Sequence, residues 1–337
     1  MSLDQQAHTM LPVIEAELKR QVRRLKSPSI EAFHDMLMYH MGWTGSSARK
    51  GQGGKRIRPL ISLLVCASVG GRWREAAPAA AALELVHNFS LVHDDIQDNS
   101  PTRRGRPTLW RKSGVALAIN AGDALFTIAN QAALDLSRSF EPAVVVSALA
   151  ILQQACLDLT KGQFLDLYHQ DKRRLSVNGY WQMIGGKTAA LLAACTHIGA
   201  LLGEASPTKC YEYRKFGQML GLAFQVQDDI LGIWGEEAQT GKSAASDLME
   251  GKLSLPVVYG LGKNGEFARG WRDAGSRVKN AARLRQKLEQ EGGRTYATRH
   301  ASRLTKEAVS MLRHLHPQGE AGAALEELST QLLARRA

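Results

Sequence analysis

The run AVVVSALAILQQACLDLTKGQFLDL, residues 143–167, repeats apolar residues at helical spacing with no strand-like alternation. The same texture returns in AAPAAAALELVHNFSLVH and GVALAINAGDALFTIANQAALDL. Alternation at period two, the mark of a half-buried strand, is scarce along the whole chain. Roughly ten or more helices are therefore expected, joined by short loops around GGKRIRP, DNSPTRRGRP, RSFEP, EASP and EEAQTGK. Several of these helices are apolar nearly all round, the pattern of a helix with neighbours on every side. With 337 residues, 44% of them hydrophobic, the chain can bury a large core. No repeat or low-complexity linker divides it, so residues 1–337 are expected to form one all-α domain.

No segment holds the roughly 18 consecutive apolar residues of a membrane span. The start, MSLDQQAHTM, lacks the apolar stretch of a secretory signal. A cytoplasmic protein without stable membrane insertion is expected. Cys66, Cys156, Cys195 and Cys210 show no CxxC spacing, so neither a zinc knuckle nor a disulfide framework is suggested. The net charge of +11 fits nucleic acid, anionic lipid or phosphorylated small molecules. Arg20, Arg23, Arg24, Lys26 and the stretch from Arg272 to Lys287 read as solvated helix faces. Aromatics do not interleave with the basic residues as in a single-strand binder, so no nucleic-acid partner is expected.

The stretch LVHDDIQDNSPTRRG is harder to explain as a surface. An apolar helical run ends in Asp94, Asp95 and Asp98. On a helix, residues four apart lie about 40° apart around the axis and about 6 Å apart along it. Asp94 and Asp98 thus share a face, with a repulsion of about 3 kcal/mol at an effective dielectric near 20. Water would relieve this on an exposed helix end, and an isolated DDxxD is compatible with that. A second pair, Asp228 and Asp229 in GLAFQVQDDILGIWG, ends another apolar run. Two such clusters call for cations, and carboxylate oxygens suit a hard divalent ion such as magnesium. Magnesium shares its shell with substrate phosphates, which points to a diphosphate ligand.

Basic residues on loops supply the other half. GQGGKRIRPL projects Lys55, Arg56 and Arg58 beside Gly53 and Gly54, with Pro59 suited to a first helical turn. Arg103 and Arg104 follow the first acidic cluster, Lys187 sits after paired glycines in IGGKTAAL, and Lys242 and Lys252 follow the second cluster. Such cations match phosphate oxygens. The look-alike GEEAQTGKS is not a P-loop: it has one residue too many between its glycines and follows a helix-like run rather than a strand.

In order, GGKRIRP, HDDIQD, RRG, GGKT, FQVQDD, TGKSAASDL and GKLSLP resemble the motif series of the trans-isoprenyl diphosphate synthase (polyprenyl synthetase) family, over about residues 50–260. The resemblance implies an all-α helical bundle of the isoprenoid synthase type around a central apolar cavity, a homodimer, and head-to-tail joining of isopentenyl diphosphate to an allylic diphosphate. It implies that Asp94 and Asp98, supported by Asp95, hold two magnesium ions and Asp228 a third, with Asp229 in its water shell. Arg103, Lys187, Lys242 and Lys252 would grip the allylic diphosphate. Lys55, Arg58, His87 and Arg104 would hold isopentenyl diphosphate, and Thr188 and Gln225 would face the reacting carbons. Gln163 matches a family glutamine near the metals. The second acidic motif departs from the family pattern, since Gly232 stands where an aspartate often closes it. Phe89 and Ser90, just upstream of Asp94, would set chain length. An aromatic at the first of them resembles makers of fifteen- or twenty-carbon products, and DDIQD lacks the two-residue insertion of short-chain bacterial farnesyl synthases. Geranylgeranyl diphosphate is the expected product, with farnesyl or a longer chain as alternatives. A terpene cyclase would not need Lys55, Arg58 and Arg104, and a non-catalytic partner subunit would be expected to lose the acidic motifs.

Overall fold

A computed structural model describes residues 2–44, 54–172, 175–236, 245–272 and 277–334. Sixteen α-helices appear among them: α1 (Leu3–Val22), α2 (Glu31–His40), α3 (Ile57–Ser68), α4 (Ala77–Gln97), α5 (Leu109–Ser113), α6 (Val115–Leu134), α7 (Pro142–Lys172), α8 (Val177–Ile184), α9 (Ala190–Leu202), α10 (Pro207–Trp234), α11 (Ser246–Glu250), α12 (Leu255–Lys263), α13 (Glu266–Arg272), α14 (Arg277–Gln290), α15 (Gly293–Leu315) and α16 (Gly319–Leu333). A two-residue hairpin, β1 (Thr102–Arg103) and β2 (Arg106–Pro107), is the sole sheet among the described residues. The all-α expectation holds, and the scarcity of period-two alternation is its cause.

The chain divides into two compact units. The first comprises residues 1–154, 194–213 and 317–325. At its centre is α4, packed against α6, α3 and α1. Ala79, Ala80, Ala81, Ala82, Leu83, Leu85 and Val86 are all buried, so α4 is enclosed on every side over this stretch, as its all-round apolarity requires. Small alanines let its neighbours approach closely. Its one buried acid there, Glu84, is neutralised by Arg56 at 2.9 Å.

The second unit comprises residues 155–193, 214–316 and 326–337. Its core gathers Tyr180, Phe216, Phe267 and Trp271, all essentially inaccessible to solvent. Between α8 and α9 the backbone forms one π-helical turn, Gly185–Ala189. Such bulges insert a residue without breaking the helix and re-aim side chains. Where the sequence suggests a loop before a helix at IGGKTAAL, the chain instead stays helical throughout.

Two stretches, Pro142–Gln170 and Val177–Leu202, are long and apolar enough by length and composition to cross a membrane. Neither holds roughly 18 consecutive apolar residues, since polar side chains are interspersed through both. The second stretch is mostly buried within the protein, as for a core helix.

Candidate active site

In the first unit, Asp94 and Asp95 occupy the last turn of α4 and Asp98 is its C-cap residue, its N–H donating to the Asp94 carbonyl at 2.8 Å. Asp94 is half-buried and Asp98 exposed, so the two carboxylates one turn apart reach the same accessible face. Asp95 is different. It is 2% exposed and accepts a hydrogen bond from Arg103 Nε at 2.8 Å. Burial pushes its carboxyl up to about 6, against the pull of Arg103. The Arg103 Nη2 also stands 3.7 Å from Asp94 Oδ2, so this arginine ties two of the three aspartates together.

Arg103 is aimed by the hairpin. Arg104 and Gly105, the two turn residues, have φ of 52° and 73°, the left-handed pair that a type I′ turn demands. The loop is cinched behind them: Thr108 Oγ1 and Trp110 Nε1 both donate to the Ser100 carbonyl, at 2.9 and 2.8 Å. The tight turn throws Arg104 back over Gly54, where an added Cβ would stand 2.7 Å from Nη2. Lys55, which follows Gly54 in the chain, is exposed.

Arg58, on the first turn of α3, meets His87 of α4, with Nη1 3.3 Å from Nε2. Burial, followed by Arg58 and Arg104, drives the His87 imidazole well below its ordinary value. The Arg58 Nε is buried with no hydrogen-bond partner among the described residues. Arg58, His87 and Arg104 thus lie close together, while Lys55 is exposed directly after Gly54, where the described stretch of that loop begins. Arg56 does not join them. It is buried, with Nε 2.7 Å from Glu15 and Nη1 2.9 Å from Glu84, and Nη2 donates to the Met41 carbonyl. The expectation that GGKRIRP projects three charges is corrected to two, because Arg56 at φ 48° turns inward.

In the second unit, the π-helical turn carries Lys187 and Thr188. It is pressed onto α7 backbone to backbone: a Cβ on Gly162 would stand 2.1 Å from the Lys187 amide nitrogen. Lys187 Nζ lies 2.6 Å from Asp166 Oδ2 on α7. Thr188 Oγ1 donates to Gln225 Oε1 at 2.7 Å, and Gln225 Nε2 donates to Asp229 Oδ1 at 2.9 Å. Tyr180 Oη and the Leu255 amide donate to Asp229 Oδ2, at 2.6 and 2.8 Å. Burial raises the Asp229 carboxyl to about 7 in spite of these donors. Asp229 is thus a hub that fixes Gln225 and, through it, Thr188, while half-buried Asp228 is the more accessible carboxylate of the pair. Lys252 lies beside Glu250 at 2.9 Å and Asp247 at 3.9 Å. Gln163 is half-buried on α7, and Lys242 lies outside the described residues.

Three partners escape a reading of the motifs alone: Asp166, Tyr180 and Asp247. Asp166 had a signal, since it falls one helical turn after Gly162 on the same face of α7. Tyr180 and Asp247 meet the second acidic motif only through folding.

An all-α fold whose helix ends carry paired carboxylates beside clustered cations defines the isoprenoid synthase class. The chain belongs to the polyprenyl synthetase family, which matches residues 46–289. A geranylgeranyl diphosphate synthase of Mycobacterium tuberculosis is 41% identical over 253 residues, covering 74% of this chain and 70% of that protein. A (2E,6E)-farnesyl diphosphate synthase of Mycobacterium bovis is 34% identical over 312 residues, covering 90% and 86%. The crystal structure of geranylgeranyl pyrophosphate synthetase from Pyrococcus horikoshii superposes with a TM-score of 0.87 at 30% identity, covering 99% of this chain and 98% of that one.

Proposed function

We propose that this protein is a short-chain trans-prenyltransferase that joins isopentenyl diphosphate to an allylic diphosphate, with geranylgeranyl diphosphate as main product and farnesyl diphosphate second. The observation that carries the reading is the cluster of Arg58, His87 and Arg104 in the same unit as the Asp94–Asp98 face. One substrate diphosphate needs the metal face. The separate cationic cluster serves a second diphosphate, which a cyclase does not bind.

Asp94, Asp98 and Asp228 would hold magnesium, three ions being expected. These carboxylates fit the ion, since they offer hard oxygens on the accessible side while Asp95 and Asp229 are turned to protein donors. When bound, such ions neutralise charge on a departing diphosphate. Lys187, freed from Asp166, and Lys252 add positive charge where the leaving group's charge grows. Arg103 orients Asp94 and Asp95 and gives donors to the same diphosphate. Arg58, His87 and Arg104 hold isopentenyl diphosphate so that its double bond lies near the allylic carbon. The Asp229–Gln225–Thr188 chain fixes polar atoms beside the reacting carbons. The proton lost after carbon–carbon bonding goes to the departing diphosphate, and no protein base is assigned.

A homodimer is part of this reading. Helix α6 exposes Val115, Leu117, Ile119 and Leu134, and α7 exposes Val146 and Phe164 at 65% and 61%, apolar surface of the kind that partners cover. Incubation with isopentenyl diphosphate, each allylic primer and magnesium, followed by product sizing, tests the function. Failure to extend any primer would refute it.

A further inference from the structure

We propose that the outward face of α15 is a docking surface for an anionic lipid bilayer. Residues 277–316 contain ten Lys and Arg against three Asp and Glu, a surplus of seven in a chain whose total is +11. Within that segment the charge is concentrated. Arg299, Arg303, Lys306 and Arg313 are all exposed on α15 and recur at spacings of four, three and seven, which places them along one stripe. At 1.5 Å per residue the stripe runs about 21 Å.

Among the described residues, only Arg303 of these four has a carboxylate in salt-bridge range, Glu307 at 3.8 Å. Acids three or four residues from a helical cation offset its charge; along this helix Glu307 is the one acid, against four exposed cations on the stripe. The local field is strong enough to register on a neighbour. His300 is held below the ordinary imidazole value first by burial and then by Arg303 and Arg299.

The occupant follows from what surrounds the charges. The other exposed residues from position 298 to 313 are Thr298, Ser302, Glu307 and Ser310, and no Phe, Tyr or Trp is among the exposed residues of α15. A face without stacking side chains is poorly suited to single-stranded nucleic acid and well suited to lie flat on a plane of lipid phosphates. The choice of lipid rests on the proposed function: a prenyl diphosphate product joins a long hydrocarbon to an anionic head, the same amphiphilic chemistry as an anionic lipid. Adsorption by charge is reversible and needs no inserted segment.

The test is cosedimentation of the full chain with vesicles of phosphatidylcholine alone or mixed with phosphatidylglycerol, over a series of salt concentrations. Binding should require phosphatidylglycerol and weaken as salt rises. Each cation near such a surface is worth about fivefold in affinity, so the variant Arg299→Gln/Arg303→Gln/Lys306→Gln/Arg313→Gln should lose on the order of several hundredfold. The double variant Arg299→Gln/Arg303→Gln should lose more than Arg214→Gln/Lys215→Gln, which removes the same charge from α10. Equal losses in the two doubles would show that net charge alone acts, and would overturn the proposal. So would equal binding to neutral vesicles, no binding to either kind, or tighter binding to DNA than to anionic vesicles at the same salt. Because vesicle binding is read without turnover, its failure leaves the proposed reaction untouched.

Discussion

Gly232 and the Asp247 carboxylate occupy one place: a Cβ added to Gly232 would stand 2.1 Å from Asp247 Oδ2. This accounts for the departure of the second acidic motif from the family pattern. Where an aspartate often closes that motif on α10, the side chain is gone, and a carboxylate from α11 fills the space. Asp247 is 9% exposed and sits close enough to Asp229 to help raise its pKa. The acidic character of the turn is thus retained from another segment of the same unit.

Gly232→Asp should therefore destabilise the protein rather than restore a family feature. Overpacking costs about 1–3 kcal/mol, and two facing carboxylates add repulsion. Gly232→Asp/Asp247→Ala should recover most of that loss, since the new side chain then enters vacated space. Thermal or denaturant unfolding of the four members of the cycle measures the coupling. Simple additivity of the two single losses would show that the residues do not compete.

For the metal face, Asp94→Ala should cut turnover by several orders of magnitude while the far-ultraviolet circular dichroism stays helical. Asp95→Asn should act differently, because Asp95 binds Arg103 and not solvent. Its loss should appear as weaker allylic substrate binding as well as slower turnover. Near-normal turnover of Asp94→Ala would remove the central assignment.

The two cation clusters should separate kinetically. Arg104→Ala is expected to raise KM chiefly for isopentenyl diphosphate, and Lys187→Ala chiefly for the allylic substrate. Steady-state titrations of each substrate at saturating concentrations of the other decide it. A shared effect of both variants on one substrate would contradict the division.

How much of this was legible in the sequence differs from residue to residue. The helices were legible because burial on all sides leaves an unmistakable composition, as in Ala79–Val86. Asp94, Asp98, Arg58 and Arg104 were legible because charge on an otherwise apolar or glycine-flanked stretch needs a reason. Arg56 was not: its motif neighbours face the site, and only the distant Glu15 and Glu84 reveal that it serves the core. The π-helical turn was invisible too, because the sequence GGKTA suits a loop as well as a helix, and its conformation depends on the backbone of α7 at Gly162. The hub at Asp229 depends on Tyr180 and the Leu255 amide, which no spacing rule connects.

Acid stability should be governed partly by Asp135, after α6. Burial works to raise its pKa, but hydrogen bonds from Gln21, Arg20 and Arg24 outweigh it and hold the carboxyl down to about 2. The folded value lies below the unfolded one, so this contribution is complete above about pH 4 and is lost as pH falls through about 2. Asp135→Asn should be less stable than the parent at neutral pH, with the gap closing across that window. A gap that stays constant from pH 7 to pH 2 would show that the cluster acts through packing and not through charge.

Chain length is the last prediction, and the structure sharpens it. Phe89, five residues before Asp94, does not stand alone: its ring centroid is 5.1 Å from that of Phe126 on α6 and 5.5 Å from that of His93. Ser90, by contrast, bonds back to its own helix, donating to the His87 carbonyl at 2.8 Å. On the proposed reading, a hydrocarbon growing below Asp94 along α4 would meet this aromatic pair. Edge and tilted ring contacts are worth about 0.5–1.5 kcal/mol beyond burial, enough to hold the pair as a closed floor. Phe89→Ala should open the channel and shift products beyond twenty carbons, but only as far as Phe126 allows. Phe126→Ala alone should have a smaller effect, because Phe89 still blocks the way. The double variant should exceed the sum of the two, the mark of two plugs in series. Ser90→Ala should leave product length unchanged. Chromatographic sizing of products from the four variants decides it: an unaltered length in Phe89→Ala, or a longer product from Ser90→Ala, would place the floor elsewhere than on this ring pair.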